Sequence, residues 1–179
     1  MDSNHIFDCD NYNMVSKIYL DMDGVLADFQ KRYKELFGVV AAGEDRDRKN
    51  FSKNWKEFIR TEQFATLDMF PGGRELYNFV SKLPVRLEIL SSTGGIPYHS
   101  EVSEQKRLWL YKQGMTTISA NFVPGRKVKK YYAHPSNLLI DDTPDVIDAF
   151  NEAGGIAILH KDVNETISKL KEIFYESNN

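Results

Sequence analysis

The sequence has only one cysteine and no long apolar run. Cys9 has no partner for an internal disulfide, and the sequence contains no CxxC or Cys/His cluster that would hold zinc. No stretch approaches about 18 consecutive apolar residues, and residues 1–13 lack the basic start and apolar segment of a signal peptide. These absences exclude disulfide and zinc scaffolds, and they predict a cytoplasmic protein with no membrane partner.

The sequence also lacks a large excess of charge of either sign. Its 23 Lys and Arg residues nearly balance its 26 Asp and Glu residues, which leaves a formal net charge of −3. This charge gives no bulk attraction for a phosphate backbone and argues against duplex nucleic acid as a partner. Hydrophobic content of 41% and charged content of 27% are typical of soluble globular proteins, and 179 residues suffice for one core with an inserted lobe.

Short apolar segments alternate with amphipathic segments along the chain. Strand-like runs occur at residues 17–21, 86–92, 118–124, 137–142 and 155–160. The segments between them have helical spacing and end near glycine or proline. Strands that alternate with helices in this way predict an α/β fold with a doubly wound parallel sheet. In such a sheet the ligand site lies at the carboxyl ends of the strands.

Composition divides the chain into three parts. Residues 1–16 are polar and aperiodic, and they are expected to form an N-terminal extension. Residues 25–70 have a mainly helical pattern, with a first helix expected from Val25, and they predict a helical cap inserted after the first strand. The catalytic core would then comprise residues 17–24 and 71–179.

Two acids lie at the end of the first strand. Asp21 and Asp23 can face one site only if the chain leaves the pleat after Asp21, and Gly24 makes that departure easy. Asp21 can then attack phosphorus to form an aspartyl phosphate. Asp23 can protonate the leaving oxygen and later deprotonate the hydrolytic water. Other strand ends carry polar side chains that we expect in the same crevice: Ser91, Ser92, Asp141 and Asp142.

This chemistry requires a cation, because an anionic nucleophile is repelled by an anionic phosphate. Mg²⁺ prefers a few oxygen ligands together with water and substrate phosphate. The carboxylate of Asp21, the carbonyl of Asp23 and an acid of the Asp141–Asp142 pair can supply them. A serine hydroxyl can donate to a phosphoryl oxygen, and a lysine is needed to balance the remaining charge.

Three motifs carry a family resemblance. DMDGVLADF at 21–29, LEILSS with its strand-end serines, and LLIDD at 138–142 resemble the haloacid dehalogenase (HAD) superfamily of phosphatases, which implies a HAD-like, Rossmannoid fold. More narrowly, DMDGVLADF, an insertion that ends in F-x-x-L-x-x-x-PG, the KxxW of Lys106 to Trp109, and LIDD resemble the 5'(3')-deoxyribonucleotidase family.

The resemblance implies a role for each matching residue. Asp21 would be the nucleophile and a metal ligand, and Asp23 the acid/base. Ser91 would bind phosphate, and Phe29 would stack on a nucleobase. The terminal metal acid would be Asp142. Asp141 would then be an outer ligand or a support for the metal site.

Several assignments stay open at this point. Four basic residues crowd the place of the phosphate lysine, and spacing favours Lys129 over Lys130; the four are Arg126, Lys127, Lys129 and Lys130. The same run is also compatible with a solvated loop. For Trp55 and Phe58, helical spacing favours core packing over a role in binding a base.

The sequence thus predicts a Mg²⁺-dependent phosphomonoester hydrolase acting on a small molecule, with a nucleoside monophosphate as the expected substrate. The alternatives are a nucleic-acid 3'-end phosphatase, a sugar-phosphate phosphatase, and a catalytically silent binding module that retains the fold. The intact acids, serines and lysines argue against the silent module. A homodimer is one possible assembly.

Overall fold

The structure is a computed structural model that describes residues 15–176. Most of the expected N-terminal extension, including Cys9, lies outside the described residues. Val15 is buried, and the Ser16 N–H donates to the Ser136 carbonyl at 2.9 Å, so these two residues lead directly into the central strand of the sheet.

Five parallel strands form one sheet, which confirms the doubly wound α/β prediction. The strands are β1 (Lys17–Leu20), β2 (Arg86–Ser92), β3 (Ser119–Val123), β4 (Asn137–Asp141) and β5 (Ile156–Leu159). Their spatial order is β3-β2-β1-β4-β5, with all neighbours parallel. Because β1 lies in the centre, with Ile18 opposite Leu87 and Leu138, the acids that follow it enter the middle of the carboxyl edge.

The described part of the chain contains six α-helices. They are α1 (Phe29–Phe37), α2 (Phe51–Arg60), α3 (Gly73–Val80), α4 (His99–Lys112), α5 (Pro144–Glu152) and α6 (Val163–Lys171). Short 3-10 segments occur at Gln63–Thr66, Ile96–Tyr98 and Arg126–Tyr132, and a π-helical turn at Glu172–Glu176 follows α6. Among the described residues, no helix combines the length and the apolar character needed to cross a bilayer.

Helix α1 begins four residues later than the expected start at Val25. The Met22 carbonyl accepts hydrogen bonds from the N–H groups of Val25, Leu26 and Ala27, which wraps this segment into a tight turn instead of a helix. Asp28 then caps α1, because its side chain accepts from the Lys31 N–H at 3.3 Å. Residues 25–27 are apolar because this turn is buried, and not because they belong to a helix.

Alternate residues of the strands enter two separate apolar clusters, one on each face of the sheet. Ile18 and Leu20 of β1 belong to the larger cluster, with side chains from α3, α4 and α6. Tyr19 belongs to the smaller one, where it meets Val146 and Phe150 of α5. Burial on both faces explains why the strands are continuous apolar runs.

The segment between β1 and α3 contains α1, α2 and a cluster of aromatic rings. Phe29 is in ring contact with Tyr33, Trp55, Phe58 and Phe64. Phe58 is fully buried and Trp55 is half-buried, so both pack in this cluster. The division of the chain into a core and a cap of residues 25–70 stays a prediction.

Candidate active site

The turn after β1 places Asp21 and Asp23 at the same edge of the sheet. The Asp21 N–H donates to the Ile140 carbonyl at 3.0 Å, which keeps Asp21 in the sheet, and its Oδ1 accepts from the Met22 N–H at 2.8 Å. Gly24 has φ +76°, a left-handed conformation that side chains rarely adopt. The chain therefore leaves the pleat immediately after Asp21, and both carboxyl groups line one crevice of about 460 Å³.

A buried lysine connects the ends of β1 and β4. Lys129 is 2% exposed, and its Nζ lies 3.0 Å from Asp21 Oδ1 and 2.6 Å from Asp141 Oδ2. The 3-10 segment Arg126–Tyr132 carries this lysine from outside the sheet into the crevice. Asp141 also accepts from the Thr143 N–H at 2.9 Å, so both of its oxygens are held.

Three acids converge beside this lysine. Carboxylate oxygens of Asp21, Asp141 and Asp142 all lie within 4.8 Å of one another, close enough to share one metal ion. The Asp142 carboxyl packs against the backbone of Gly24, where a Cβ would lie 2.6 Å from its Cγ. Glycine at position 24 thus serves both the turn and the approach of the third acid.

Crowding of these acids shifts their pKa values. Burial, followed by the charges of Asp21 and Asp141, raises the pKa of Asp142 to about 7. Asp142 is exposed as a whole residue, but its carboxyl is packed against Gly24 and faces the other acids, and this crowding sets its pKa. Burial and the charge of Asp21 also raise the pKa of Asp141, since one lysine shared by two carboxylates cannot neutralise both.

The pKa of Lys129 is raised, although the residue is buried. Burial alone would lower its pKa, but the charges of Asp21 and Asp141 outweigh that effect and raise it. The lysine is therefore a fixed cation at neutral pH. Two carboxylates that contact it and a third beside them still leave an excess of negative charge, which a divalent cation would offset.

A second buried lysine holds Asp23. Lys106 of α4 is 1% exposed, and its Nζ donates to Asp23 Oδ2 at 2.7 Å, to Ser91 Oγ at 2.9 Å and to the Ser92 carbonyl at 2.9 Å. Burial raises the pKa of Asp23, and the charge of Lys106 opposes that rise. Asp23 Oδ1 is buried and has no hydrogen-bond partner among the described residues.

The rest of the crevice lining comes from several further segments. Phe29 and Gln30 of α1 line the crevice, as do Ser92 at the end of β2 and Gly94 just beyond that strand. Gly94 has φ +79°, and the Trp55 ring lies against it, with Cε2 3.0 Å from the position of a Cβ. The rest of the lining comprises Gly95, Pro124, Gly125, Arg126, Thr143 and Ala42.

Three solved structures that resemble this one carry the word hydrolase in their names. A haloacid dehalogenase-like family hydrolase from Streptococcus pneumoniae has a TM-score of 0.54 at 13% identity, covering 89% of this chain and 100% of that one. A phosphonoacetaldehyde hydrolase-like protein from Oleispira antarctica gives 0.52 at 14%, covering 91% and 83%. A HAD-superfamily hydrolase from Ehrlichia chaffeensis gives 0.52 at 15%, covering 91% and 99%.

The chain has the HAD-like fold. This confirms the fold predicted from the three motifs, whereas identities this low carry no information on substrate. No protein-family model matches the sequence, and no curated protein matches it. Within the HAD-like fold, the ends of β1, β2 and β4 meet at one edge, which is where Asp21, Ser92 and Asp141 are found.

The structure distinguishes between neighbouring candidates for the phosphate site. Lys129 lines the crevice, whereas Lys130 is exposed, with its Nζ 5.4 Å from the centre of the Tyr131 ring. Ser92 lines the crevice, whereas Ser91 is fully buried and its hydroxyl is bonded to Lys106. The roles of these residues stay predictions; of each pair, Lys129 and Ser92 are the ones that line the crevice.

Sequence reasoning assigned no role to Lys106, although the KxxW motif contains it. A signal was available, because residues 102, 106, 109 and 110 share one helical face and three of them are apolar. A lysine on such a face is buried, and a buried ammonium needs anionic or polar partners. The sequence did not show that these partners would be Asp23, in the turn after β1, and Ser91 of β2.

Proposed function

We propose that this protein is a Mg²⁺-dependent phosphomonoester hydrolase in which Asp21 is the nucleophile. The observation that carries the proposal is the meeting of Asp21, Asp141 and Asp142 around one point, with Lys129 in contact with two of them. A structural network of acids would be paired with an equal number of cations. Excess negative charge in a crevice instead fits a metal and phosphate site.

The residues suit a double-displacement reaction. Lys129 and the Met22 N–H both contact Asp21 Oδ1, which orients the carboxylate and leaves Oδ2 to attack phosphorus. The bond between phosphorus and the leaving oxygen breaks as Asp23 donates its proton to that oxygen. Asp23 then takes a proton from water, which attacks phosphorus, releases phosphate and regenerates Asp21.

The acids fit a magnesium ion. Asp21 and Asp142 would hold it, with the Asp23 carbonyl as a further ligand and Asp141 in an outer position. Mg²⁺ would supply charge neutralisation between the carboxylates and the incoming phosphate. The raised pKa of Asp142, about 7, supports this assignment, because a cation beside it would favour the ionised form.

Phosphate would be held by groups that already face the crevice. Lys129 carries the buried positive charge, and Ser92 lines the same crevice. A charged donor and a hydroxyl donor in one crevice can together stabilise the charge that develops on a phosphoryl group during transfer.

The finer proposal is a 5'(3')-deoxyribonucleotidase that acts on nucleoside monophosphates. It is supported by Phe29, an aromatic ring that lines the same crevice as Asp21 and Asp23. A ring at this position suits base stacking, which contributes about 1 to 3 kcal/mol per base. The basic run at 125–130 also keeps the 3'-end phosphatase as a candidate, because Arg126 lines the crevice.

A phosphate-release screen tests this proposal. Wild-type protein would be given deoxynucleoside monophosphates, sugar phosphates and 3'-phosphorylated oligonucleotides, each with Mg²⁺ and with excess chelator. The proposal predicts Mg²⁺-dependent release that is fastest with a nucleoside monophosphate. Preference for a sugar phosphate or an oligonucleotide would replace the nucleotidase assignment, and release in chelator would contradict the metal-dependent mechanism.

A further inference from the structure

Lys106 uses all of its hydrogen-bonding capacity inside the protein. An ammonium group has three N–H donors, and three acceptors surround Nζ: Asp23 Oδ2, Ser91 Oγ and the Ser92 carbonyl. The nearby Phe64 ring, with its centre 5.1 Å from Nζ, adds a favourable cation–π contact. In this arrangement no donor remains for a phosphoryl oxygen, so Lys106 is not itself a phosphate ligand.

The same contacts determine which oxygen of Asp23 has a hydrogen-bond partner. Oδ2 is held by Lys106 at 2.7 Å, whereas Oδ1 has no partner in the described part of the chain. A carboxyl held at one oxygen cannot rotate freely, so its other oxygen keeps one direction. Oδ1 is enclosed by protein atoms, so the contact of Oδ2 with Lys106 fixes the orientation in which the Asp23 carboxyl lines the crevice.

The helix that carries Lys106 is also anchored by hydrogen bonds. On the same helix, the Gln105 side chain donates to the Ile59 carbonyl at 2.8 Å, and Trp109 Nε1 donates to the Leu67 carbonyl at 2.8 Å. Both acceptors lie in the segment between β1 and α3. Helix α4 is therefore anchored on either side of Lys106, which limits movement of its ammonium group.

We propose that Lys106 is a positioning residue that orients Asp23 for proton transfer to the leaving group. The inference rests on the proposed phosphatase function and goes beyond it, because it adds a residue to the acid/base step. In that step the Asp23 carboxyl gives its proton to the departing oxygen as the phosphorus–oxygen bond breaks and the bond between Asp21 and phosphorus forms. Lys106 keeps all of its protons throughout.

The dependence of rate on the leaving group tests the inference. An alkoxide leaving group needs a proton, whereas p-nitrophenolate leaves without one. Lys106→Met should therefore lower kcat/KM for an alkyl phosphate by about 100-fold and for p-nitrophenyl phosphate by less than about tenfold, since misplaced acid groups cost rates of this order. Asp23→Asn should show the same discrimination, and adding Lys106→Met to it should produce no further change in the ratio.

Lys112→Met is the matched control, since this lysine lies on the same helix and its Nζ donates to the Ala65 carbonyl at 3.2 Å, away from the crevice. It should leave the alkyl-to-aryl ratio unchanged. If Lys106→Met does not fold, Lys106→Arg decides, because it keeps the charge without matching the three acceptors. Equal losses on both esters in the folded Lys106 variant would overturn the inference and leave the phosphatase standing. A wild-type protein inactive on both esters would overturn both.

Discussion

The Asp142 carboxyl occupies the space that any side chain at position 24 would need. A Cβ built on Gly24 would clash with Asp142 Oδ2 and lie 2.6 Å from Cγ. Gly24 also has φ +76°, so the turn after β1 and the position of the third acid depend on the same residue. This relationship links the DxDG motif to the second acid of the LIDD motif, although Gly24 and Asp142 are 118 positions apart in the sequence.

Gly24→Ala is expected to remove activity and Mg²⁺ binding. Gly38→Ala is the matched control, because Gly38 has a similar φ of +72° but no atom of the described residues lies within 4 Å of its Cβ position. Both variants carry a left-handed backbone cost of about 1 to 2 kcal/mol. Only Gly24→Ala also displaces Asp142. Denaturant unfolding and Mg²⁺ titration would separate the effects, and equal Mg²⁺ affinity in the two variants would refute the coupling.

Lys129→Met is expected to destabilise the protein by about 3 to 5 kcal/mol, because it leaves Asp21 and Asp141 as buried charges without their cation. Lys130→Met, one residue away and exposed, should change stability by no more than about 0.5 kcal/mol. Urea unfolding without metal measures both. Similar small effects from the two substitutions would mean that Lys129 is not the essential cation of the site.

Asp142→Asn is expected to have opposite effects with and without metal. The folded-state pKa of Asp142, about 7, lies above its ordinary value of 3.8, so the metal-free fold loses stability as pH rises from 3.8 to about 7, where the unfolded chain ionises before the folded one. Without metal, the variant should therefore melt at a higher temperature than wild type at pH 8 and at a similar temperature at pH 3.5. Mg²⁺ should stabilise wild type by mass action and the variant far less. Equal Mg²⁺ stabilisation would remove Asp142 from the metal site.

Phe29→Leu is expected to reduce kcat/KM for a nucleoside monophosphate by roughly tenfold, because it removes the stacking surface but keeps most of the apolar volume. A small aliphatic phosphate ester should be affected little. Phe51→Leu serves as control, because Phe51 stacks on Trp55 in the same aromatic cluster but is among the exposed residues. Parallel losses on both substrates would make Phe29 a packing residue.

Much of the architecture was predictable because each element carries a local signal. The continuous apolar runs of β1 and β4 indicate strands buried on both faces, and Thr143 with Pro144 marks the start of α5. The start of α1 was not predictable from spacing alone. Three N–H groups converge on the Met22 carbonyl, and this tertiary turn overrides the helical pattern from Val25.

For the site, the sequence was enough to predict which strand ends meet. The parallel topology alone brings Asp21, Ser92 and Asp141 to the same edge of the sheet, whatever the conformations of their side chains. The partners of long side chains were not predictable, because Lys106 and Lys129 reach their acids only after α4 and the 126–132 segment are packed. Sequence spacing favoured Lys129 over Lys130, but its contact with two acids at once is a property of the folded chain.

Covalent trapping at Asp21 tests the central claim most directly. In Asp23→Asn, phosphoryl transfer from p-nitrophenyl phosphate can still occur, because this leaving group needs no proton. Hydrolysis of the phosphorylated enzyme is slowed, because the base that activates water is lost, so the phosphorylated enzyme should accumulate. Borohydride reduction followed by peptide mapping converts a phosphorylated aspartate into homoserine. The account predicts homoserine at position 21 that requires both substrate and Mg²⁺. The account would be contradicted if the wild-type protein releases phosphate but the trapping variant has position 21 unmodified. Labelling of another carboxylate in that variant would contradict it as well.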